Sequence, residues 1–280
     1  MNKLSLDDVA RQIKDLPTLP AVVMELLNTI DQDDIDIHVL AKKVSHDQAL
    51  TAKTLRLANS SFYGLQVKVT TIQQAINLMG MQSVRGLITT AAMTGCFPAE
   101  RCEGFDHKGF WRHSIATATC AKVLAMHLHV NQDFAFTAGL LHDLGRLALV
   151  SCFRAQYEAV IRYRVANDCY LLEAERKVLE IDHVQVGVAL ASLWNFSDTM
   201  IKAIAGHHSP ETPGAGFLAS IVHVADAIAH ALDLSHVADD LTPPVSMVAW
   251  QGLGLKDEVY LQVFRETQLQ FEAISTALLN

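Results

Sequence analysis

Apolar residues recur at helical spacing through most of the chain, and few stretches between turn signals alternate between apolar and polar positions as a strand would. The pattern predicts an all-α fold. The segments predicted to be helical are 20–30, 36–58, 71–79, 83–95, 109–128, 133–150, 154–167, 171–193, 197–208, 216–232 and 256–278.

Lapses in the helical pattern predict how the chain is divided. Pro17 and Pro20 stand at the start of the first well-defined helix, because proline suits a first turn and disfavours helix in the residue before it. The stretch Ser209–Gly216 holds two prolines and two glycines, which predicts an interior loop. A further lapse at 97–107 predicts a junction between an N-terminal helical half, residues 1–105, and the rest of the chain.

Composition narrows the class of protein. With 280 residues, half of them apolar, the chain can bury one large core or two modest ones. A net charge of −8 argues against nucleic acid as a partner, because binding to the phosphate backbone needs clustered Lys and Arg. No apolar run reaches the roughly 18 residues that span a bilayer, and residues 1–8 show no basic segment followed by an apolar one. We therefore expect a cytoplasmic protein that does not cross a membrane.

The five cysteines are an odd number and include no CxxC pair. They indicate reduced thiols instead of a disulfide framework or a zinc ribbon.

The sharpest chemical signal is the doublet His142-Asp143, which stands in an apolar helical setting. An imidazole and a carboxylate are costly to bury unless they are paired or bound to a metal. One such doublet is weak evidence alone, because His46-Asp47 is also one and its polar neighbours predict only a surface turn. Other residues of the chain therefore have to show whether His142-Asp143 is part of a buried metal site or only of a surface turn.

Further ligand-type residues lie on separate predicted helices, whose polar groups could converge inside one bundle. They are His113, His183, the pair His207-His208, and Asp226. Each histidine also has a plain interpretation, as a satisfied core residue or as a cation at a helix end. His223 and His230 share a helix face with Asp226, so they are either partners of the ligands or ordinary surface histidines.

Imidazole nitrogen and carboxylate oxygen suit a divalent metal, with Fe or Mn favoured and Zn or Ni as alternatives. We predict that one ion is bound by His113, His142, Asp143 and Asp226. The remaining ligand-type residues, His183, His207 and His208, offer enough nitrogen for a second ion. Two ions a few ångströms apart are typical of dinuclear hydrolases.

The order of these residues resembles the HD superfamily of metal-dependent phosphohydrolases. Three further motifs, at Leu16–Pro20, Val44–Ser60 and Ile72–Gly80, are similar to the HDOD family, the HD-related output domains of bacterial signal transduction. The resemblance covers about residues 12–235. It implies a multi-helix HD-like bundle with an N-terminal helical subdomain, a metal-site core at 106–235, and a C-terminal helical extension at 236–280.

The chain departs from the HD-GYP phosphodiesterases, whose ligand spacing it otherwise resembles. Ser209, Pro210 and Glu211 follow the paired histidines where that group has its DGxGYP segment, and Arg146 stands in place of a lysine. Arg146 can bind a phosphate bidentately, so we take it with His142 and Asp143 as the candidate catalytic residues. We expect weak or no hydrolysis of cyclic di-GMP.

Three functions stay open. The leading one, implied by the resemblance, is an output module that binds metal and acts through a signalling protein partner or a small phosphorylated ligand. The alternatives are an active phosphohydrolase and a metal-free scaffold in which the histidines only pack.

The N-terminal motifs contain several polar residues and a glycine that we expect mainly to form turns. These residues are Arg56, Asn59, Ser60, Ser61, Tyr63, Gly64 and Arg85. For Tyr63 and Arg85 a partner surface is the alternative.

Overall fold

A computed structural model describes residues 3–16, 19–28, 37–59, 65–97, 102–237 and 240–279. Within those ranges the chain is helical and has no strand, which confirms the all-α class. The helices are α1 (Leu6–Gln12), α2 (Ala21–Asn28), α3 (Ile37–Ser45), α4 (Gln48–Ala58), α5 (Ile72–Met79), α6 (Met81–Cys96), α7 (His107–His127), α8 (Gln132–Leu141), α9 (Leu144–Cys152), α10 (Arg154–Asn167), α11 (Leu171–Leu179), α12 (His183–Leu193), α13 (Asp198–Gly206), α14 (Phe217–Ala231), α15 (Met247–Gly252) and α16 (Asp257–Leu279).

Two of the long predicted helices are each a pair of shorter ones. The segment predicted at 36–58 is divided between α3 and α4, where the carboxylate of Asp47 accepts a hydrogen bond from the N–H of Leu50 at 2.9 Å and so caps α4. The segment predicted at 171–193 is divided between α11 and α12, where Glu180 has a left-handed φ of 65°. Apolar periodicity runs through both breaks, so it did not reveal them.

The third long predicted helix, 133–150, is also wrong, and its break positions the His142-Asp143 doublet. α8 ends at Leu141 and α9 begins at Leu144, so the doublet lies between two helices instead of within one. Gly145 in the first turn of α9 allows a close approach to α12, because a Cβ there would lie 1.9 Å from the carbonyl oxygen of His183. The break and this contact together turn the doublet toward the start of α12.

Two short helices were missed by the sequence pattern. α1 has only seven residues and starts with a capping box formed by Ser5 and Asp8. It packs against α12 in the C-terminal half, and the N–H of Leu4 donates to the carbonyl of Leu179 at 3.0 Å. The second missed helix is α15, six residues within the C-terminal extension.

Helix α7 is the centre of the bundle. It packs against α8, α14 and α16, and most of its 21 residues are buried. The largest apolar cluster includes residues from Leu4 to Val222, so the N-terminal and C-terminal halves share one core. The division into 1–105, 106–235 and 236–280 stays a proposal.

Several smaller predictions can be compared with the described residues. The loop Ser209–Gly216 does lie between two helices, α13 and α14. All five cysteines are free, as expected. Among the described residues, no helix combines the length and the apolar composition needed to cross a bilayer.

Two of the N-terminal motif residues, Asn59 and Arg85, occupy positions that agree with a structural role. The side chain of Asn59 bonds both backbone groups of Val69, at 2.8 and 2.7 Å, and so ties the end of α4 to the chain before α5. Arg85 is only 1% exposed, which excludes it from a partner surface and corrects that alternative. The remaining predicted positions at 60–64, and Pro17, lie outside the described residues.

Candidate metal centre

The seven side chains predicted as metal ligands meet at one place in the bundle. They come from the middle of α7, the break between α8 and α9, the first residue of α12, the end of α13 and the middle of α14. The seven are His113, His142, Asp143, His183, His207, His208 and Asp226. All are buried except His208, which is half-buried.

His113, His142 and Asp226 form a first set, here called group A. Nε2 of His113 lies 3.2 Å from Nε2 of His142 and 3.0 Å from Oδ1 of Asp226. Nε2 of His142 lies 3.6 Å from the same oxygen. Three donor atoms from three helical elements therefore surround one small volume.

His183, His207 and His208 form a second set, here called group B. Nε2 of His183 lies 3.0 Å from Nε2 of His208. The ring of His207 packs against both others, with centroids 5.5 Å from His183 and 4.2 Å from His208. Both members of the adjacent pair His207-His208, at the end of α13, therefore face one site.

Asp143 joins the two groups through different oxygens. Oδ2 lies 3.7 Å from Nε2 of His142 and 4.0 Å from Nε2 of His113 in group A. Oδ1 lies 3.3 Å from Nε2 of His183 and 3.6 Å from Nε2 of His207 in group B. A carboxylate placed this way can bridge two ions.

Backbone carbonyls hold two of the imidazoles in one orientation. Nδ1 of His142 donates to the carbonyl of Gly139, and Nδ1 of His207 donates to the carbonyl of Ile204, both at 2.7 Å. Because a carbonyl oxygen only accepts, each Nδ1 carries a proton, and in the neutral form of the imidazole Nε2 then presents a lone pair to the cluster. This is the tautomer that a metal ligand needs.

Glu175 on α11 holds His183. Its Oε2 accepts hydrogen bonds from the backbone N–H of His183 at 2.8 Å and from Nδ1 at 2.6 Å, while its Oε1 accepts one from the hydroxyl of Tyr157 at 3.1 Å. Burial would lower the pKa of His183, but the carboxylates of Glu175 and Asp143 outweigh it and raise that pKa to about 9. Glu175 was not predicted from the sequence, where its signal is a carboxylate beside Ala174 on the buried face of an amphipathic helix.

His230 is a further member of the centre. Its Nε2 lies 3.5 Å from Oδ1 of Asp226, and its Nδ1 lies 3.0 Å from Oδ2 of Asp240. His113, Asp226 and His230 together form a set with metal-binding spacing. The structure therefore supports His230 as a partner of the ligands and not as an ordinary surface histidine. No sequence pattern pointed to Asp240, which lies beyond α14 in an irregular segment.

His223 has a different role. Its Nδ1 donates to the carbonyl of His207 at 2.7 Å, and its Nε2 accepts from the N–H of Ser246 at 2.8 Å. Both ring nitrogens are therefore occupied, which leaves none for a metal. His223 supports the backbone of the His207-His208 pair from behind.

Arg146, one turn after the doublet, completes the floor of the site. Its Nη1 donates to Oδ2 of Asp143 at 2.7 Å, and its guanidinium lies 5.5 Å from the ring centroid of Phe110. Burial would raise the pKa of Asp143, but His142, Arg146 and His183 outweigh it and hold the pKa well below its usual range. Asp143 is therefore ionised at neutral pH.

The donor set fits a divalent cation. Nε2 of His207 and Oδ1 of Asp226 are buried and make no hydrogen bond to any described residue. Burial lowers the pKa of His142 to about 4, so its imidazole is neutral at pH 7. Burial would raise the pKa of Asp226, but His230 and His113 outweigh it and hold that pKa well below its usual range. The two unpartnered buried atoms and the neutral imidazole of His142 lie together, and such a set of donor atoms favours a bound cation.

A cavity of about 220 Å³ opens above the cluster. Its floor includes His142, Asp143, His183 and Asp226. The residues around its walls come from α10, α11 and the segment that follows α14. A ligand of small-molecule size can therefore reach both groups of donor atoms.

Residues 16–210 match the model of the HDOD domain. The match covers more than half of the chain and includes most of the cluster. It ends before Asp226 and His230.

Solved structures with the same fold come from several bacteria. An HDOD domain protein of Geobacter sulfurreducens has a TM-score of 0.83 at 23% identity, over 97% of this chain and 98% of that one. A candidate phosphohydrolase of Shewanella amazonensis has a TM-score of 0.75 at 28% identity, over 96% and 97%. The response regulator MmoQ of Methylococcus capsulatus has a TM-score of 0.51 at 28% identity, over 90% and 99%.

The curated relatives are longer than this chain. It is 22% identical to an uncharacterised protein of Treponema pallidum over 97% of its own length, but it spans 47% of that protein. It is 28% identical to ribonuclease Y of Lactobacillus helveticus over 57% of its own length and spans 25% of that enzyme.

Proposed function

The chain belongs to the HDOD domain family, and from that premise we propose that it is a signalling output module built around a dinuclear HD-type metal centre. The observation that carries the proposal is the position of Asp143, whose two oxygens face separate groups of histidines. A ligand shared by two ions needs this arrangement, in which each oxygen faces imidazole nitrogens of a different group.

We assign the ligands of each ion from the two groups. One ion would be held by His113, His142, Asp143 and Asp226, and the other by Asp143, His183, His207 and His208. Nitrogen and oxygen donors without a thiolate favour Fe or Mn. Such ions would supply positive charge for phosphate oxygens and would activate a water.

The signalling part of the proposal rests on similarity. MmoQ, a response regulator, shares this fold at 28% identity over nearly all of its length. A module of this kind would change its contacts with a protein partner when the centre gains or loses a ligand.

Hydrolysis of a phosphoester is the second candidate function, and a specific observation favours it. Arg146 lies in the cavity beside the bridging carboxylate, where its free donors could hold a phosphate. The similarity to the Shewanella amazonensis candidate phosphohydrolase agrees with this. Asp143 would keep the Arg146 guanidinium in position, and the buried floor would limit access of bulk water.

The metal centre is tested by elemental analysis of protein purified without oxygen. We expect bound Fe or Mn in the wild type and almost none in Asp143→Ala. Asp198→Ala is the matched control, because Asp198 is an exposed carboxylate on α13 outside the cluster. Wild-type protein with no more metal than Asp143→Ala would overturn the proposal.

A panel of phosphoesters then separates the two functions. The metal-loaded wild type is incubated with nucleotides, a generic phosphodiester and cyclic di-GMP, with Asp143→Ala as the control for contaminating nuclease. Turnover that is lost in Asp143→Ala supports the hydrolase. Full metal content without turnover supports the output module. We expect little turnover of cyclic di-GMP.

A further inference from the structure

The walls of the cavity above the cluster contain two kinds of surface. Arg146, Arg164 and Arg176 contribute guanidinium groups from three different helices. The other part of the wall is apolar or aromatic and is formed by Tyr170, Leu171, Leu241, Pro243 and Pro244. A cavity that has guanidinium groups on one part of its wall and apolar residues on another, next to candidate metal ligands, is suited to a ligand with one anionic and one apolar end.

Arg176 and Arg146 keep donors available for an anion. Arg176 uses Nε to bind Asp182 at 2.8 Å, which leaves its terminal amino groups for another acceptor. Nε of Arg146 is buried without a hydrogen-bond partner among the described residues. A buried donor of this kind is stabilised when a ligand oxygen reaches it.

The backbone adds to this side of the cavity. Tyr170 is the N-cap residue of α11, and its side chain does not cap the first turn. Leu171, Leu172 and Glu173 of that turn line the cavity, and the first N–H groups of a helix favour an anion. The carboxylate of Glu173 is at the exposed outer side, where solvent screens it.

Part of the wall comes from the segment after α14, beyond the part of the chain that matches the HDOD model. Asp240 fixes one end of this segment, because it binds Arg164 at 3.2 Å and His230 at 3.0 Å. Ser246 fixes the other end through its N–H bond to His223 at 2.8 Å. Between these anchors, Leu241, Pro243 and Pro244 face the cavity. Two prolines between fixed ends make this wall stiff.

We propose that this cavity binds a small organic phosphate with a planar, apolar moiety, a ligand of nucleoside monophosphate type. The phosphate lies against Arg146, Arg176 and the start of α11, above the donor atoms of the centre. The planar moiety lies between Tyr170 and the segment Leu241–Pro244. The inference rests on the proposed metal centre and names the ligand class of that site.

The test is calorimetric titration of the manganese-loaded full chain. The main ligand is the 5′-phosphonate analogue of adenosine monophosphate, whose P–C bond a phosphatase does not cleave. Inorganic phosphate, adenosine and cyclic di-GMP are titrated in parallel. We expect the phosphonate to bind at least about tenfold more tightly than each of the other three, because only it offers both ends at a size that fits.

Two variants test the contacts with the phosphate and with the planar moiety separately. Arg176→Gln should weaken the phosphonate and inorganic phosphate about tenfold or more, since a charge-assisted contact is lost. Tyr170→Ala should weaken the phosphonate about tenfold and leave inorganic phosphate unchanged, since only stacking is lost. The matched control is Lys177→Gln, which removes the same charge from the next position of α11, outside the cavity.

The outcomes distinguish this inference from the proposed function because metal content is measured in every sample. Full metal content with equal binding of phosphonate and inorganic phosphate would overturn the ligand class. Tighter binding of cyclic di-GMP, or an unchanged affinity in Arg176→Gln, would also overturn it. Failure to retain manganese in the wild type would instead contradict the metal centre.

Discussion

At the scale of single residues, Asp143 is proposed to bridge two ions, whereas Asp226 is proposed to bind one. Asp143 lies near histidines of both groups, whereas Asp226 lies near His113, His142 and His230. If about two ions bind per chain, Asp143→Ala should lose both and Asp226→Ala only one. Elemental analysis of the purified variants measures the number of metal ions per chain. The control Asp198→Ala should have the same number as the wild type. Equal metal loss in the two variants would show that Asp143 does not bridge.

A second prediction at this scale concerns Gly145. A Cβ at this position would lie 1.9 Å from the carbonyl oxygen of His183 and 2.6 Å from the backbone nitrogen of Gly187. Backbone cannot move aside as a flexible side chain can, so α9 and α12 would have to separate. Gly145→Ala should lower the free energy of unfolding by about 3 kcal/mol, measured by urea denaturation.

The control for that substitution is Gly252→Ala in α15. No atom lies within 4 Å of the Cβ position there. Its free energy of unfolding should stay within about 1 kcal/mol of the wild type. A similar loss in both variants would mean that the effect of Gly145 does not come from the helix contact.

The residues of the centre were recognisable from sequence only where their own surroundings were informative. His142-Asp143 and Asp226 stand among apolar neighbours, and an unpaired polar group there is costly. Glu175 and Asp240 gave weaker signals, because carboxylates are common on amphipathic helices and in irregular segments. Their importance depends on His183 and His230, which the fold brings to them from other elements.

At the scale of elements, α11 positions α12 through a single buried carboxylate. Glu175→Gln keeps the shape of the side chain and an oxygen for the N–H groups of His183, but it removes the charge that raises the basicity of that imidazole. We expect metal affinity to fall about 10- to 100-fold with little loss of fold. Titration against a competing chelator measures the affinity, and circular dichroism checks the helices.

Tyr157→Phe is the matched comparison for Glu175→Gln. It removes the hydroxyl that bonds the other oxygen of Glu175 and leaves the charge in place. Its metal affinity should change less than that of Glu175→Gln. A larger change in Tyr157→Phe would mean that orientation, and not charge, is what Glu175 provides.

The positions of helices were more predictable than the breaks between them. Periodicity predicted most of the helical segments, because each buries an apolar face. It did not detect the breaks near Asp47, at His142-Asp143 and near Glu180, since both flanking helices bury apolar faces and no Gly or Pro separates them. Caps made by Asp side chains were the remaining signal at Asp47 and Asp182. The break that forms the site has no side-chain cap, so its position depends on tertiary contacts.

At the scale of the whole molecule, the centre ties together helices that are distant in sequence. α7, α9, α12 and α14 each contribute to it or flank it, and α7 also packs against α16 at the end of the described chain. The shared apolar core extends from the N-terminal segment to α14. The proposed output module would therefore have a continuous packed connection between the centre and both halves of the chain.

The last prediction follows from this connection between the centre and the bundle. An ion that binds only the folded chain stabilises it by about 2.7 kcal/mol when its free concentration is 100 times its Kd. For a chain of this size, each 1 kcal/mol corresponds to about 2–4 °C in Tm. Removal of the metal by a chelator, verified by elemental analysis, should therefore lower the Tm of the wild type by about 5–10 °C. The Tm of Asp143→Ala should already be low and should not respond to the chelator, because that variant lacks the bridging ligand. An unchanged Tm after verified removal from the wild type would favour a cluster of histidines that only packs.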